Sequence, residues 1–493
     1  MDDSLKPGIT PLTELFAAEP DRLSVLSLDV AGLYCDWSKT HLDRRLLDDF
    51  AVRVERAGVA KARDALFAGA IVNASEGRTA THIAERGSGA PEEVDLATAR
   101  RQRTRALVDA VEAGAFGDVT GVLHIGIGGS VLGPALLVDA LGRRGARVDV
   151  QFLSNIDGQA VDDAVKPLDP ATTLVVVVSK TFTTAETLAN MEAALAWLRG
   201  AGISDAHGRV IAVTANPEAA RNAGIDDTRI LSFGEGVGGR YSLWSAVGVS
   251  AALALGWDAF EELLEGAAEM DRHFRFAEPG RNLPLLAACA DRLYGDLQCQ
   301  TRAVFAYDER LRLLPFYLQQ LEMESNGKSV TADDRPVSGQ TAPVTWGGTG
   351  TDAQHAVFQL LHQGTLTIPV EFVAVREADD AQDPDHHRQL LLNAFAQGAA
   401  LMQGRASDDP QRAYPGNRPS ATILLDRLDA RTLGALIAFY EHRTFANAAV
   451  LGINPFDQFG VELGKDIARQ LSEGADEAKL DPSTRALIER AGV

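Results

Sequence analysis

The run SKTFTT, Ser179 to Thr184, puts four hydroxyl side chains directly behind the valines Val175 to Val178. Four β-branched apolar residues, preceded by Thr172, Thr173 and Leu174, predict a strand buried on both faces, as in a parallel sheet covered by helices. Glu186 and the Leu188, Met191, Leu195, Leu198 stripe predict a helix starting just after the hydroxyls. Ser179, Thr181, Thr183 and Thr184, beside the free N–H groups of a helix start, make an anion cradle. Plain N-capping, which uses a single hydroxyl, is the alternative.

Four other segments carry residue types with chemistry in them. LHIGIGGSVLGP follows one predicted strand and opens a helix, but Val131 stands where a dinucleotide fingerprint needs glycine, and Asp149 is a weak ribose partner. Pro134 after Gly133, and a GKS at Gly327 without its upstream glycine, exclude a P-loop. What remains is a tight turn, Gly128, Gly129 and Ser130, whose backbone can approach a polar ligand or can be structural only. In EGVGGRYSLWS, Gly236, Gly238 and Gly239 leave room beside Arg240, ahead of a helix expected over Ser242 to Leu253. That guanidinium suits an oxyanion or a phosphate, or else a surface ion pair.

In LLPFYLQQLEMESNGKSV, helical spacing sends Glu322 and Glu324 to opposite sides and puts Gln320 on the Glu324 face. Asn326 and Gly327 provide a helix stop, and a carboxylate at that negative end holds its proton more tightly, as a general base should. A solvated helix-end glutamate is the plainer reading. In QHAVFQLLHQGT, His355 and His362 share a face without the carboxylates of a metal site, so one reactive and one structural histidine are expected. A helix N-terminus would keep His355 neutral and able to relay protons. INPFDQFGVELGKDIARQL places Gln458 and Lys465 on one face if a helix begins near Asp457; Lys465 is then a donor, or simply an exposed lysine.

The elements that must position these residues alternate. Leu12 to Arg105 reads mainly as helices, for instance Leu46 to Arg63. Val122 to Ile127, Val148 to Leu153, Leu174 to Val178 and Arg209 to Val213 read as strands separated by helices such as Leu132 to Leu141. A second alternation places strands at Ala303 to Tyr307, Val370 to Val375 and Thr422 to Leu425, with helices at Leu313 to Glu324, Ala353 to Gln363 and Arg431 to Phe445. Two α/β units with parallel sheets follow. DPDHHRQ near Asp383 and the stretch Ser407 to Ser420 read as surface loops.

At 493 residues, 46% hydrophobic and 23% charged, the chain has room for two or three domains. A formal net charge of −21 excludes nucleic acid and anionic membrane as partners. An anion must therefore be held by local donors. MDDSLKPGIT has no signal-peptide pattern, and no apolar run is of membrane-spanning length. Cys35, Cys289 and Cys299 form no CxxC pair, which fits a reducing cytoplasm.

Together, IGIGGS, SKTFTT, GGRYSLWS, MESNGK, QHA…QLLHQGT and FDQ…GVELGK, with IVNASEGRTATHIAERG upstream, resemble the glucose-6-phosphate isomerase (phosphoglucose isomerase) family, in the family's order and over most of the chain. The resemblance implies two αβα sandwich subdomains of sugar-isomerase (SIS) type with doubly wound, mainly parallel sheets and additional helices. Their bounds would be a helical segment over 1–104, a small domain over 105–255 and a large one over 256–493. It implies conversion between glucose 6-phosphate and fructose 6-phosphate through an enediolate, without metal or organic cofactor. A non-catalytic sugar-phosphate-binding protein is the alternative. By the resemblance, Ser179, Thr181 and Thr184 hold the phosphate, with Lys180, Phe182 and Thr183 completing the loop. Gly129, Ser130, Gly239, Gln320 and Gln458 contact the sugar, Arg240 stabilises the enediolate and Glu324 shuttles the proton. His355 and Lys465 open the ring, the histidine coming from the neighbouring subunit of a homodimer. Val131, Ala185 and Gly348-Thr349 depart from the family's usual residues, which bears on the range of sugar phosphates accepted.

Overall fold

A computed structural model describes residues 9–379, 383–472 and 480–492. Its first strands lie in the stretch expected to be helical. β1 (Ser27–Val30) and β2 (Leu33–Asp36) form an antiparallel hairpin across Ala31 and Gly32, both at positive φ, 54° and 77°. Strands this short impose no detectable alternation on a helical neighbourhood. The helix expected over Leu46 to Arg63 is two helices, Arg44–Ala57 and Val59–Phe67, parted by Gly58 in the left-handed region (φ 68°). A second hairpin, β3 (Ile71–Asn73) and β4 (Arg78–Thr79), follows.

β5 (Gly121–Ile125), β6 (Asp149–Leu153), β7 (Thr173–Val178), β8 (Val210–Thr214) and β9 (Ile230–Ser232) form a wholly parallel sheet in the order β6-β5-β7-β8-β9. Every residue of β5, β7 and β8 is buried, as a sheet covered on both faces requires. One covering layer comes from Met191, Leu195 and Leu198 of the helix Ala185–Gly200, packed on Leu123, Val175 and Val177. The strand order reverses between β5 and β7, and the crevice at such a switch point, outside the carboxyl ends of the strands, is where doubly wound sheets bind ligands.

β10 (Thr301–Tyr307), β11 (Val344–Thr349), β12 (Val370–Val375) and β13 (Ser420–Leu425) build a second parallel sheet, extended by the antiparallel β1-β2 hairpin to the order β1-β2-β13-β12-β10-β11. The expectation of two α/β units with mainly parallel sheets thus holds, the antiparallel part being the β1-β2 edge. β11, VTWGGT, is not among the strands read from the sequence, because its glycines erase any apolar period. A Cβ at Gly347 would lie 1.7 Å from the Val304 carbonyl oxygen, so glycine is what lets β11 lie against β10. Phe305, Phe358 and Phe372 fill the core beside this sheet. The helix Ala430–Leu451, buried along nearly its whole length, crosses the helix Trp257–Phe276 where Gly434 and Gly266 admit the opposing backbone: added Cβ atoms would sit 2.0 and 1.8 Å from carbonyl oxygens.

Three further expectations are corrected. DPDHHRQ is not a loop: Asp383 caps the helix Pro384–Gln403, accepting from the Asp385 N–H at 2.8 Å. Aspartate before proline is an N-cap followed by N1 as readily as a turn. The helix expected over Ser242 to Leu253 begins only at Val249, after two 3₁₀ turns, Gly239–Tyr241 and Ala246–Gly248. The third concerns the C-terminal region, where one compact unit runs to Pro455, a second begins at Phe456, and the helix start is displaced. In the second, the turn Phe459–Val461 precedes the helices Glu462–Ser472 and Pro482–Ala491. The first of these starts at Glu462 rather than near Asp457, so Gln458 and Lys465 do not share a helix. Among the described residues no helix is long and apolar enough to cross a membrane.

Candidate active site

The two loops flanking the switch point are the glycine turn after β5 and the hydroxyl run after β7. Gly128 takes φ 57°, and a Cβ on Gly129 would fall 2.1 Å from the carbonyl carbon of Gly239. The two glycine backbones therefore touch, which brings the Gly128–Ser130 turn against the loop carrying Arg240. A Cβ at Gly128 would lie 2.8 Å from Gln320 Nε2. The turn is locked from beneath by His124, which the sequence reading did not single out. Its Nε2 donates to the Ser130 carbonyl (2.8 Å), because a carbonyl only accepts, and its Nδ1 is left to accept from the Ser250 hydroxyl (2.8 Å). Burial pushes this imidazole down to about 4, so it stays neutral. Its signal in the sequence was only a histidine inside a buried strand.

Beyond β7, Ser179 Oγ accepts the Phe182 N–H (3.1 Å) and hydrogen-bonds Thr184 Oγ1 (3.1 Å), while Thr183 donates to Thr181 Oγ1 (2.7 Å). Thr184 is the N-cap of the following helix, yet its side chain makes no capping bond. Hence the hydroxyls are turned on one another, and the first N–H groups of the helix are not spent on a side-chain cap. Phe182, at φ 55°, is buried in the core of the first sheet and anchors the loop. The Lys180 ammonium donates to the carbonyls of Glu235 (2.7 Å) and Val237 (3.1 Å), tying this loop to the Arg240 loop. Burial, then the neighbouring Arg78 charge, lowers its pKa. Arg78 and Glu76 of the β3-β4 hairpin are thus electrostatic neighbours of this loop.

Arg240 is 3% exposed. Its Nε donates to Ser325 Oγ (2.6 Å), its Nη1 to Glu324 Oε1 (3.1 Å) and its Nη2 to the Pro455 carbonyl. The helix Leu314–Leu318 widens into a π turn, Gln319–Glu324, rather than continuing as the expected α-helix. π turns occur often at functional sites. The inner side of this one is held by Glu322, ion-paired to Arg302 of β10 and accepting from Thr345 Oγ1 of β11 (2.7 Å). Glu322 and Glu324 therefore engage different partners, and Glu324 is left half-buried against the Arg240 guanidinium. A carboxylate beside a fixed cation, where two glycine backbones meet, can take up a proton where an oxyanion is also stabilised.

His355 lies elsewhere in the chain. It is exposed on the helix Gly350–Gln363 and borders a groove of about 660 Å³ with His362 and Tyr414. His362 is fixed by Gln397 (2.9 Å) and edge-on to Tyr414. Gln458, before the Phe459–Val461 turn, and the exposed Lys465, on Glu462–Ser472, belong to the second unit.

Two doubly wound αβα layers with a hydroxyl loop at the switch point of one place the protein in the sugar-isomerase class of α/β folds. The phosphoglucose isomerase family model matches residues 36–488, and the chain belongs to that family. It is 65% identical to a glucose-6-phosphate isomerase of Rhizorhabdus wittichii over 98% of this chain and 96% of that one. A Zymomonas mobilis glucose-6-phosphate isomerase is 56% identical over 97% and 95% of the two chains. The crystal structure of a glucose-6-phosphate isomerase from Chlamydia trachomatis superposes with a TM-score of 0.89 at 32% identity, covering 98% of this chain and 96% of that one.

Proposed function

We propose that the protein interconverts glucose 6-phosphate and fructose 6-phosphate, a step shared by sugar breakdown and synthesis. The observation that carries the reading is the 3.1 Å pairing of Glu324 with the buried Arg240, at the contact of two glycine backbones. In this mechanism Ser179, Thr181 and Thr184 hold the phosphate, and Lys180, Phe182 and Thr183 keep the loop in shape. Gly129, Ser130, Gly239, Gln320 and Gln458 orient the open-chain sugar. Glu324 removes the proton from C2 of the aldose and returns it to C1, while the proton on O2 passes to O1, giving the ketose. The enediolate between these steps carries negative charge on oxygen, and the guanidinium of Arg240 offsets it.

Ring opening precedes this and moves a proton from the anomeric hydroxyl to the ring oxygen. We assign it to His355 and Lys465, with His355 supplied by the neighbouring subunit of a homodimer. The exposure of His355 at the rim of an open groove, on the helix Gly350–Gln363, supports that assignment. The reading includes a cytoplasmic, metal-independent enzyme built of a segment 1–104, a small domain 105–255 and a large domain 256–493. The test is a coupled assay of fructose 6-phosphate conversion by purified protein in excess chelator. Rapid turnover is the expected outcome; sugar-phosphate binding without turnover would replace the enzyme by a binding protein.

A further inference from the structure

The chain has 68 acidic and 47 basic residues, so a carboxylate partner is available for most arginines. One groove, of about 750 Å³, is an exception. It lies between the helix Pro91–Glu112 and the two turns, His207–Arg209 and Asp227–Arg229, that lead into β8 and β9. Arg103, Arg209 and Arg229 line it, and among the described residues none of them is ion-paired. Arg103 Nε donates to the Ile230 carbonyl (3.0 Å), and Arg209 donates to the carbonyls of Phe116 (3.0 Å) and Ala171 (2.8 Å). Bonds to neutral carbonyls fix a guanidinium in place without cancelling its charge. Arg229 Nε is buried and has no hydrogen-bond partner among the described residues.

The carboxylates nearby are engaged. Asp205, on the groove wall, accepts from the Gly208 N–H (2.9 Å). Asp227 pairs with Arg221, and Asp226 accepts from the Thr228 N–H (2.9 Å), its pKa lowered by Thr228 and less by Arg229. Ser204 and Thr228 add hydroxyls, and Phe116 belongs to an apolar wall. Three guanidiniums against the one lining carboxylate, Asp205, leave the groove positive, which favours a ligand with several negative charges, and the wall gives an organic group something to lie on. We propose that this groove is a second anion site that takes an organic polyphosphate, its phosphates among Arg103, Arg209 and Arg229 and its ring against Phe116.

The site is distinct from the hydroxyl loop. Arg209 precedes β8, whereas Thr214 at the far end of that strand donates to the Lys180 carbonyl (3.1 Å). At about 3.3 Å per residue the strand separates the two edges by roughly 16 Å. β9 runs the same way, from Arg229 toward the Glu235 carbonyl that holds Lys180. The proposal does not rest on the isomerase reading.

The test is calorimetric titration of the full chain with inorganic tripolyphosphate and with ATP, both in chelator, with fructose 6-phosphate saturating. Binding of one equivalent per chain is expected, tighter for ATP, and retained in the Ser179→Ala/Thr184→Ala variant. Arg103→Gln/Arg229→Gln should weaken it about tenfold or more, the order of a lost charged hydrogen bond. Ser204→Asp should weaken it similarly without deleting an arginine that ties loops together, and should leave the melting temperature and the KM for fructose 6-phosphate unchanged. Undetectable binding at millimolar anion, loss of binding when fructose 6-phosphate saturates the wild type, or unchanged affinity in a folded Ser204→Asp protein would each overturn the site.

Discussion

A carboxylate that lifts a proton from carbon must be near a cation without being neutralised by several, and among the described residues the Glu324 carboxylate pairs with the Nη1 of Arg240. Glutamine at 324 keeps that shape and its acceptor but takes no proton. Glu324→Gln should lower kcat by about 10²- to 10⁴-fold, the usual worth of a positioned acid–base group, with sugar-phosphate affinity by calorimetry little changed. Near-normal turnover would remove Glu324 as the base. His124 makes a prediction of a different kind. Its pKa is about 4 when folded and 6.5 ordinarily, so between those values the unfolded chain binds more protons. The stability it contributes is whole above about pH 6.5 and drains away toward pH 4, by roughly 3 kcal/mol at the limit. Urea unfolding of wild type and His124→Asn at pH 7 and pH 4.5 checks this. The difference between the two proteins should shrink at the lower pH, and an unchanged difference would mean that the ring is not held neutral.

At the scale of elements, the site depends on backbone approach and on one irregular helix. Gly129→Ala would drive its Cβ to 2.1 Å from the Gly239 carbonyl carbon, forcing the Arg240 loop away. A shift of about 1 Å in a reacting group costs on the order of 10²-fold, so kcat/KM should fall by at least that much while the fold persists by circular dichroism. Unimpaired kcat/KM would show that the glycine contact does not position the site. The sequence made β7 legible because a strand buried on both faces is a continuous apolar run. It also made the hydroxyl loop legible, since hydroxyls far exceed what one cap needs. The π turn was not legible: Gln320 and Glu324 have ordinary helical spacing, and the widening is held by Glu322 binding Arg302 and Thr345 across the sheet. β11 was hidden for a related reason, its ladder being decided by β10 and not by any period of its own.

At the scale of the molecule, His355 decides the matter. If it serves the partner's site, two inactive proteins, Glu324→Gln and His355→Ala, should complement each other. A mixed dimer of C₂ symmetry has one site with both native residues and one with neither. Co-refolding equal amounts should therefore restore about a quarter of wild-type activity, whereas activity no higher than the sum of the two parents would place His355 in its own chain's site. By itself the amino-acid sequence determined the alternating α/β layers, the hydroxyl and glycine loops and the family, because apolar period and local motif spacing are properties of contiguous residues. Tertiary structure alone decided that Gly129 meets Gly239, that His124 holds the glycine turn, that Glu324 faces Arg240 through a π turn, and that three arginines far apart in the chain share one groove. Each of these depends on contacts between residues distant in sequence, whose distances no local pattern encodes.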